Sequence, residues 1–275
     1  MNAAEALSSY LHTWSADFLR SLRLHEESVG SAETAAAAAD AARRLRRASR
    51  RLSGTLHTYR PLVDGAWADK LCVELRWLSD TLSQEYGHAA RLDRLHSGLQ
   101  RLASEGGGGE AERSPGGSPK GGSGGSRSRG GDQGAGADTG PTLPPGTARA
   151  GALLERQLTL ARTRAHSAAL QALVSNRFHA VADAVAVLAS EVQLAPQTAQ
   201  SVADAALVPL ADQARQRLVQ AVGALPFPPL ETPYHADFLS RPVTARTSRL
   251  RQDAAWHEVR LLLRLHRYAE EVLLR

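Results

Sequence analysis

The chain has 275 residues, of which 43% are hydrophobic, and it carries a formal net charge of +5. This length can bury the core of one or two domains, and the single cysteine, Cys72, excludes an intramolecular disulfide framework. Arginine supplies all but two of the 33 basic residues, and its planar guanidinium holds phosphate oxygens in pairs. The charge therefore favours acidic partners without identifying one.

Helical periodicity occurs in two parts of the chain. The predicted helices span 3–24, 32–59, 66–85 and 88–104, then 150–175, 177–193, 197–223 and 246–274. Breaks between them are predicted at Gly30, Pro61, Gly87 and Pro196. No segment has the alternation of apolar and polar residues that is typical of a strand, so the sequence predicts an all-α fold.

A segment rich in glycine, serine and proline separates the two groups of helices. Residues 106–146 contain too little apolar surface to offset the entropy of ordering them, which is typical of a disordered linker. We therefore predict an N-terminal helical half over residues 1–104, a linker over 105–149 and a C-terminal helical half over 150–275.

The helix that contains residues 43–59 has six arginines within nine positions, 43–51. With about 100° between successive residues, its apolar side chains form one stripe that we predict to be core: Leu45, Ala48, Leu52, Leu56 and Tyr59. Arg43, Arg46, Arg50 and His57 lie on the opposite side, and Arg47 and Arg51 lie on one flank. A bound anion would relieve the repulsion among them, and a solvated basic face is the alternative.

A second basic stripe lies near the end of the chain, on the helix over residues 256–275. By the same arithmetic its polar residues share one side: His257, Arg260, Arg264, Arg267 and Glu271. The rest of this helix is apolar, which predicts that it is largely buried and that its stripe faces an interior groove. Glu271 alone cannot pair with three arginines, so the stripe indicates an anion site.

These two helices resemble the CHAD domain, the conserved histidine α-helical domain, whose halves each open on a helix of the form H-x-x-R-x-x-x-(K/R)-R-x-R. In the second half the resemblance rests on His257, Arg260, Arg264 and Arg267, followed by Tyr268 and Glu271. In the first half it rests on Arg46, Arg50, Arg51, Leu52, Leu56, Arg60 and Pro61, with Arg43 where the family has its histidine. The segment Leu75–Leu78, "LRWL", is similar to the next helix of the family.

The resemblance implies two helical halves related by an internal repeat. It also implies binding of inorganic polyphosphate, or a similar linear polyanion, along a basic groove between the halves, with no catalysis, metal or cofactor. The residues implied for anion binding are Arg43, Arg46, Arg50, Arg51, His257, Arg260, Arg264 and Arg267.

Two other functions stay open on the sequence alone. Nonspecific binding of RNA or DNA would use the same basic faces through phosphate contacts. A helical interaction or scaffold protein would leave the arginines merely solvated. The sequence contains no pattern of a signal peptide or a membrane span, so we expect a cytoplasmic protein without a membrane partner; the oligomeric state is left open.

Overall fold

The computed structural model describes residues 2–28, 34–106, 143–225 and 244–275. Within these ranges the chain forms seven α-helices and no strand, so the all-α prediction is confirmed. In chain order they are α1 Ala3–Ser28, α2 Ala35–Thr58, α3 Gly65–Gly106, α4 Pro145–Leu173, α5 Asn176–Ser190, α6 Ala203–Gly223 and α7 Thr244–Leu273.

Helix α2 buries the predicted apolar stripe in the core. Leu45, Ala48, Leu52, Leu56 and Tyr59 are each at most 1% exposed, as expected when apolar residues recur on one side of a helix. This prediction is confirmed. The arginines on the other side of α2 are thereby directed away from the main core.

Helix α3 is one continuous helix where the sequence predicted two, with a break at Gly87. The predicted break is wrong, because Gly87 lies inside α3; a Cβ atom added there would meet no other atom within 4 Å. A single glycine in a helix costs only about 1 kcal/mol relative to alanine, and the long helical segments on both sides of it offset that cost.

A predicted boundary also moves at the start of α6. The sequence predicted one helix from residue 197, but Pro196–Gln200 forms a short 3-10 helix and α6 begins only at Ala203. Helix α5 begins at Asn176, one residue before the predicted start, and the Ser175 hydroxyl accepts a hydrogen bond from the Phe178 amide at 3.2 Å. Such a bond satisfies one of the free amides of the first helical turn.

By its contacts the chain divides into two units. The first contains residues 1–83 and 168–275, and the second contains residues 84–167. The core of the first unit is formed by apolar residues of α1, α2, α5, α6, α7 and the start of α3. This grouping differs from the predicted division into halves at 104 and 150, which stays a prediction.

The second unit is an antiparallel pair formed by the end of α3 and most of α4. Glu85 accepts a hydrogen bond from His166 at 3.0 Å, and His96 lies 3.2 Å from Glu155, so residue numbers rise along α3 as they fall along α4. Most of the predicted linker, residues 107–142, lies outside the described residues. Residues 145–149, also assigned to the linker, are helical because α4 begins at Pro145, a residue favoured at a helix start.

The prediction that α7 is largely buried is wrong. Its inner side packs through Tyr268, Ala269 and Val272, whereas Leu261 and Leu263 are 49% and 53% exposed. The helix therefore lies on the surface of the first unit with one side packed. In the described part of the chain no single helix meets the length and apolarity of a membrane span, although α4 and α5 together do so as a bent pair.

Candidate functional site

A pocket of about 550 Å³ lies among α2, α3 and α7 of the first unit. Five basic side chains line it: Arg50 and His57 from α2, Arg76 from α3, and His257 and Arg264 from α7. We call this site the basic pocket. Its volume lies within the range of roughly 300–1,000 Å³ that is usual for ligand sites.

Helical spacing brings these residues to the pocket. Arg50 and His57 are seven residues apart on α2, and His257 and Arg264 have the same spacing on α7. Seven residues are almost two turns, so each pair lies on one side of its helix. Arg76 is directed here because its neighbours Leu75 and Leu78 are fully buried on the core side of α3.

Positive charge accumulates in the basic pocket with little compensation. The pKa of Arg50 is lowered by burial and then by the charges of Arg46 and Arg264. The pKa of His57 is lowered by burial and then by Arg76 and Arg217. Asp80 is the carboxylate among the lining residues. In the described ranges, no carboxylate lies within 4.0 Å of the guanidinium of Arg50, Arg76 or Arg264.

One wall of the pocket is apolar and depends on a glycine. A Cβ atom at Gly54 of α2 would lie 2.7 Å from Cδ2 of Tyr268 and 3.2 Å from Cδ2 of Leu265. The missing side chain therefore allows α7 to approach α2 closely at this point. Tyr268 is only 8% exposed, so its ring contributes to the wall and does not offer a free face for stacking.

A second group of polar residues, which we call the Glu271 cluster, joins α1, α2 and α7. The Glu271 carboxylate accepts hydrogen bonds from Arg51 Nη2 at 3.0 Å, Arg267 Nε at 2.9 Å and Tyr10 Oη at 2.8 Å. Burial and then Glu271 raise the pKa of Tyr10, so its hydroxyl stays protonated as a donor. The carboxylate thus binds three elements of the first unit together.

Arg51 is enclosed within this cluster. It is 4% exposed, and its guanidinium carbon lies 4.2 Å from the ring centre of Trp14 and 5.1 Å from that of Tyr268. Contacts of this kind between a cation and an aromatic face are attractive, and more so away from water. The structure therefore gives this predicted anion-binding residue internal partners.

The other four predicted site residues lie in four different places. Arg46 lies close enough to Arg50 for its charge to help lower the pKa of Arg50, after the effect of burial. Arg260 is exposed on α7, outside the lining of the basic pocket. Arg267 belongs to the Glu271 cluster with a 67% exposed side chain. Arg43 lies elsewhere, in a pocket between α1 and α2, where it pairs with Asp40 at 3.1 Å.

Two basic residues of the pocket were missing from the predicted site. Arg76 is the arginine of the "LRWL" segment, and its position between buried leucines was the signal that could have identified it. Helical arithmetic placed His57 on the side of α2 that carries Arg50, but the family resemblance did not include it among the anion-binding residues. In the described part of the chain no group of three or more His, Cys, Asp or Glu side chains could hold a metal ion.

Comparisons with known proteins agree with the resemblance found in the two basic helices. The model of the CHAD domain family matches residues 16–274, nearly the whole chain. The solved structure of PptA from Streptomyces chartreusis is 43% identical, superposes with a TM-score of 0.69, and is matched over 99% of this chain and 75% of that chain. No curated protein matches.

Proposed function

The chain belongs to the CHAD domain family, and from this premise we propose that it binds inorganic polyphosphate, or a similar linear polyanion, in the basic pocket without catalysing a reaction on it. One observation carries the proposal. Three arginines and two histidines from three helices converge on one pocket whose lining contains a single carboxylate, Asp80. A fold that concentrates charge in this way needs an external anion to offset the repulsion.

Arginine chemistry favours a ligand made of phosphate groups. Arg50, Arg76 and Arg264 each present a rigid fork of N–H donors that matches two oxygens of one phosphate. A linear polyphosphate offers such oxygens at every repeat, so one chain satisfies several forks at once. His57 and His257 add further N–H donors, and each adds a positive charge when it is protonated.

The lining is less suited to nucleic acid. Proteins that bind single strands combine basic grooves with exposed aromatic rings on which bases stack. The aromatic residue of this lining, Tyr268, is buried against α2. The pocket therefore favours a polyanion without bases.

The proposal is tested by titrating the full-length chain with long-chain polyphosphate at two salt concentrations in a calorimeter, with and without single-stranded RNA as a competitor. We expect binding that weakens steeply as salt rises, because phosphate contacts release condensed counterions. RNA should compete poorly. Absence of binding, binding that is insensitive to salt, or complete displacement by RNA would each contradict the proposal.

A pair of double variants locates the site. We expect Arg50→Ala/Arg264→Ala to weaken binding on the order of 100-fold, because each lost charge-assisted contact contributes about 1.5–2 kcal/mol. The matched control, Arg44→Ala/Arg215→Ala, removes the same charge from arginines that pair with Asp40 and Asp212, and it should bind almost normally. Equal losses in the two proteins would mean that net charge, and not this pocket, determines binding.

A further inference from the structure

A shallow hollow adjoins the basic pocket on the side of α6. Its lining comes from α2, α6 and α7, and it shares two residues, His57 and Leu265, with the basic pocket. The two cavities therefore border each other at His57 and Leu265. The hollow measures only about 20 Å³, which is room for about one water molecule. It is too small to be a separate site, but it extends the first one.

Arg217 of α6 brings a further positive charge to this hollow. Its charge and that of Arg76 both act on His57 and help to lower the pKa of the imidazole, after the effect of burial. The positive potential of the basic pocket thus continues past His57 to α6. In the described ranges no carboxylate pairs with Arg217, whereas Arg215 on the same helix pairs with Asp212 at 3.1 Å.

The length of the basic pocket limits what it can hold. Arg50 and His57 are seven residues apart on α2, a distance of about 10 Å along the helix axis. A short polyanion can satisfy the arginines within this length. A longer chain has to leave the pocket, and on the side of His57 the hollow next to it presents the Arg217 guanidinium.

We propose that Arg217 extends the anion-binding track from the basic pocket onto α6, so that long linear polyphosphate gains a contact that a short one cannot reach. The inference rests on the function proposed above and deepens it, because it makes chain length the property that the protein recognises. His57 then marks the boundary between the part of the track that binds any short polyphosphate and the part reserved for long chains.

The test measures binding of tripolyphosphate and of long-chain polyphosphate to the full-length chain and to two variants. Arg217→Gln should weaken binding of the long chain about three- to fivefold, the scale of one exposed charge pair. It should also reduce the slope of log K against log salt by about one. Tripolyphosphate should bind as before. The control Arg215→Gln removes an equal charge two residues away and should change neither ligand.

Each other outcome overturns the inference. Unchanged binding of the long chain to the Arg217→Gln protein would exclude the contact. Equal weakening by both variants would assign the effect to net charge, and equal weakening of both ligands would place Arg217 within the site for short anions. If neither ligand bound the unsubstituted chain, the proposed function itself would fail, which is a different result from binding without discrimination by length.

Discussion

Arg50 and Arg51 are neighbours on α2, yet the structure gives them opposite surroundings. Arg50 lines the basic pocket, where burial and then nearby cations lower its pKa. Arg51 is enclosed between two aromatic rings and donates to the Glu271 carboxylate at 3.0 Å. About 100° of helical rotation separates the two side chains, and this rotation decides whether an arginine meets an acid or other cations.

This difference bears on how α2 would support the proposed anion site. In the Glu271 cluster one carboxylate pairs with Arg51 of α2 and with Arg267 of α7. These pairs hold together the two helices whose other sides repel each other in the basic pocket. One group of arginines is structural and the other is available to a ligand. Substitutions in the two groups should therefore separate effects on folding from effects on binding.

The largest effect should come from alanine at Arg51. Breaking a buried ion pair leaves the remaining charge poorly solvated. We therefore expect the free energy of unfolding in urea to fall by about 2–4 kcal/mol. The loss should be smaller than for an acid left without partners, because Glu271 keeps its bonds to Arg267 and Tyr10. Arg50→Ala is the control and should leave stability level or slightly raised, since it relieves repulsion. A similar loss in both proteins would remove the distinction between the two groups.

A smaller effect should distinguish the shape of the guanidinium from its charge. Arg264→Lys keeps the charge in the basic pocket but loses the planar fork, so polyphosphate affinity measured by calorimetry should fall by about 1–2 kcal/mol. Arg267→Lys on the same helix should leave affinity almost unchanged, because Arg267 pairs with Glu271. A lysine at position 264 that bound as tightly as arginine would mean that charge alone is recognised.

The smallest effect should be a dependence of affinity on pH. Burial, Arg76 and Arg217 lower the pKa of His57, with Asp69 opposing them and Arg60 adding to them. A bound polyanion would raise that pKa again, so binding takes up a proton and affinity should rise about two- to threefold as the pH falls from about 7.5 to about 5.5.

The matching control for this pH effect is His57→Gln, which should flatten the part of the profile that belongs to His57. Without ligand, protonation of His57 has the opposite effect on the stability of the fold. The unfolded chain binds the proton more readily than the folded one, so His57 should lower stability as the pH falls below its ordinary pKa of about 6.5. If the His57→Gln chain and the unsubstituted chain had the same pH profile for affinity, His57 would not be the source of the pH effect.

Much of the fold follows from sequence pattern alone. The core stripe of α2 was predictable because apolar residues recurred at helical spacing. The continuity of α3 through Gly87 was not, since a glycine signals a break only when the helical segments beside it are weak. The exposure of α7 was also missed, because a leucine-rich helix looks buried in sequence whether or not a neighbour covers it.

The candidate site could be predicted only in part, for a related reason. Periodicity identified the faces that carry Arg50, His257 and Arg264, and these line the basic pocket. It placed Arg51 on a flank of α2 but could not show that Arg51 pairs inside the protein, because its partner lies 220 residues away in sequence. The leucines beside Arg76 could have indicated that it turns away from the core, but its contribution to the pocket depends on how α3 packs beside α2. Local pattern gives the face of a helix, and tertiary packing decides what that face meets.

The bonds of the Glu271 cluster also bear on the order in which the protein folds. Tyr10 and Arg51 reach Glu271 across 261 and 220 residues, and the Tyr59 hydroxyl reaches the Ala269 carbonyl across 210. Contacts so distant in sequence form late, because closing long loops costs entropy before any contact repays it. During synthesis Arg51 of α2 emerges from the ribosome long before Glu271. The basic pocket is completed only when α7 docks, because α7 supplies His257 and Arg264 to its lining.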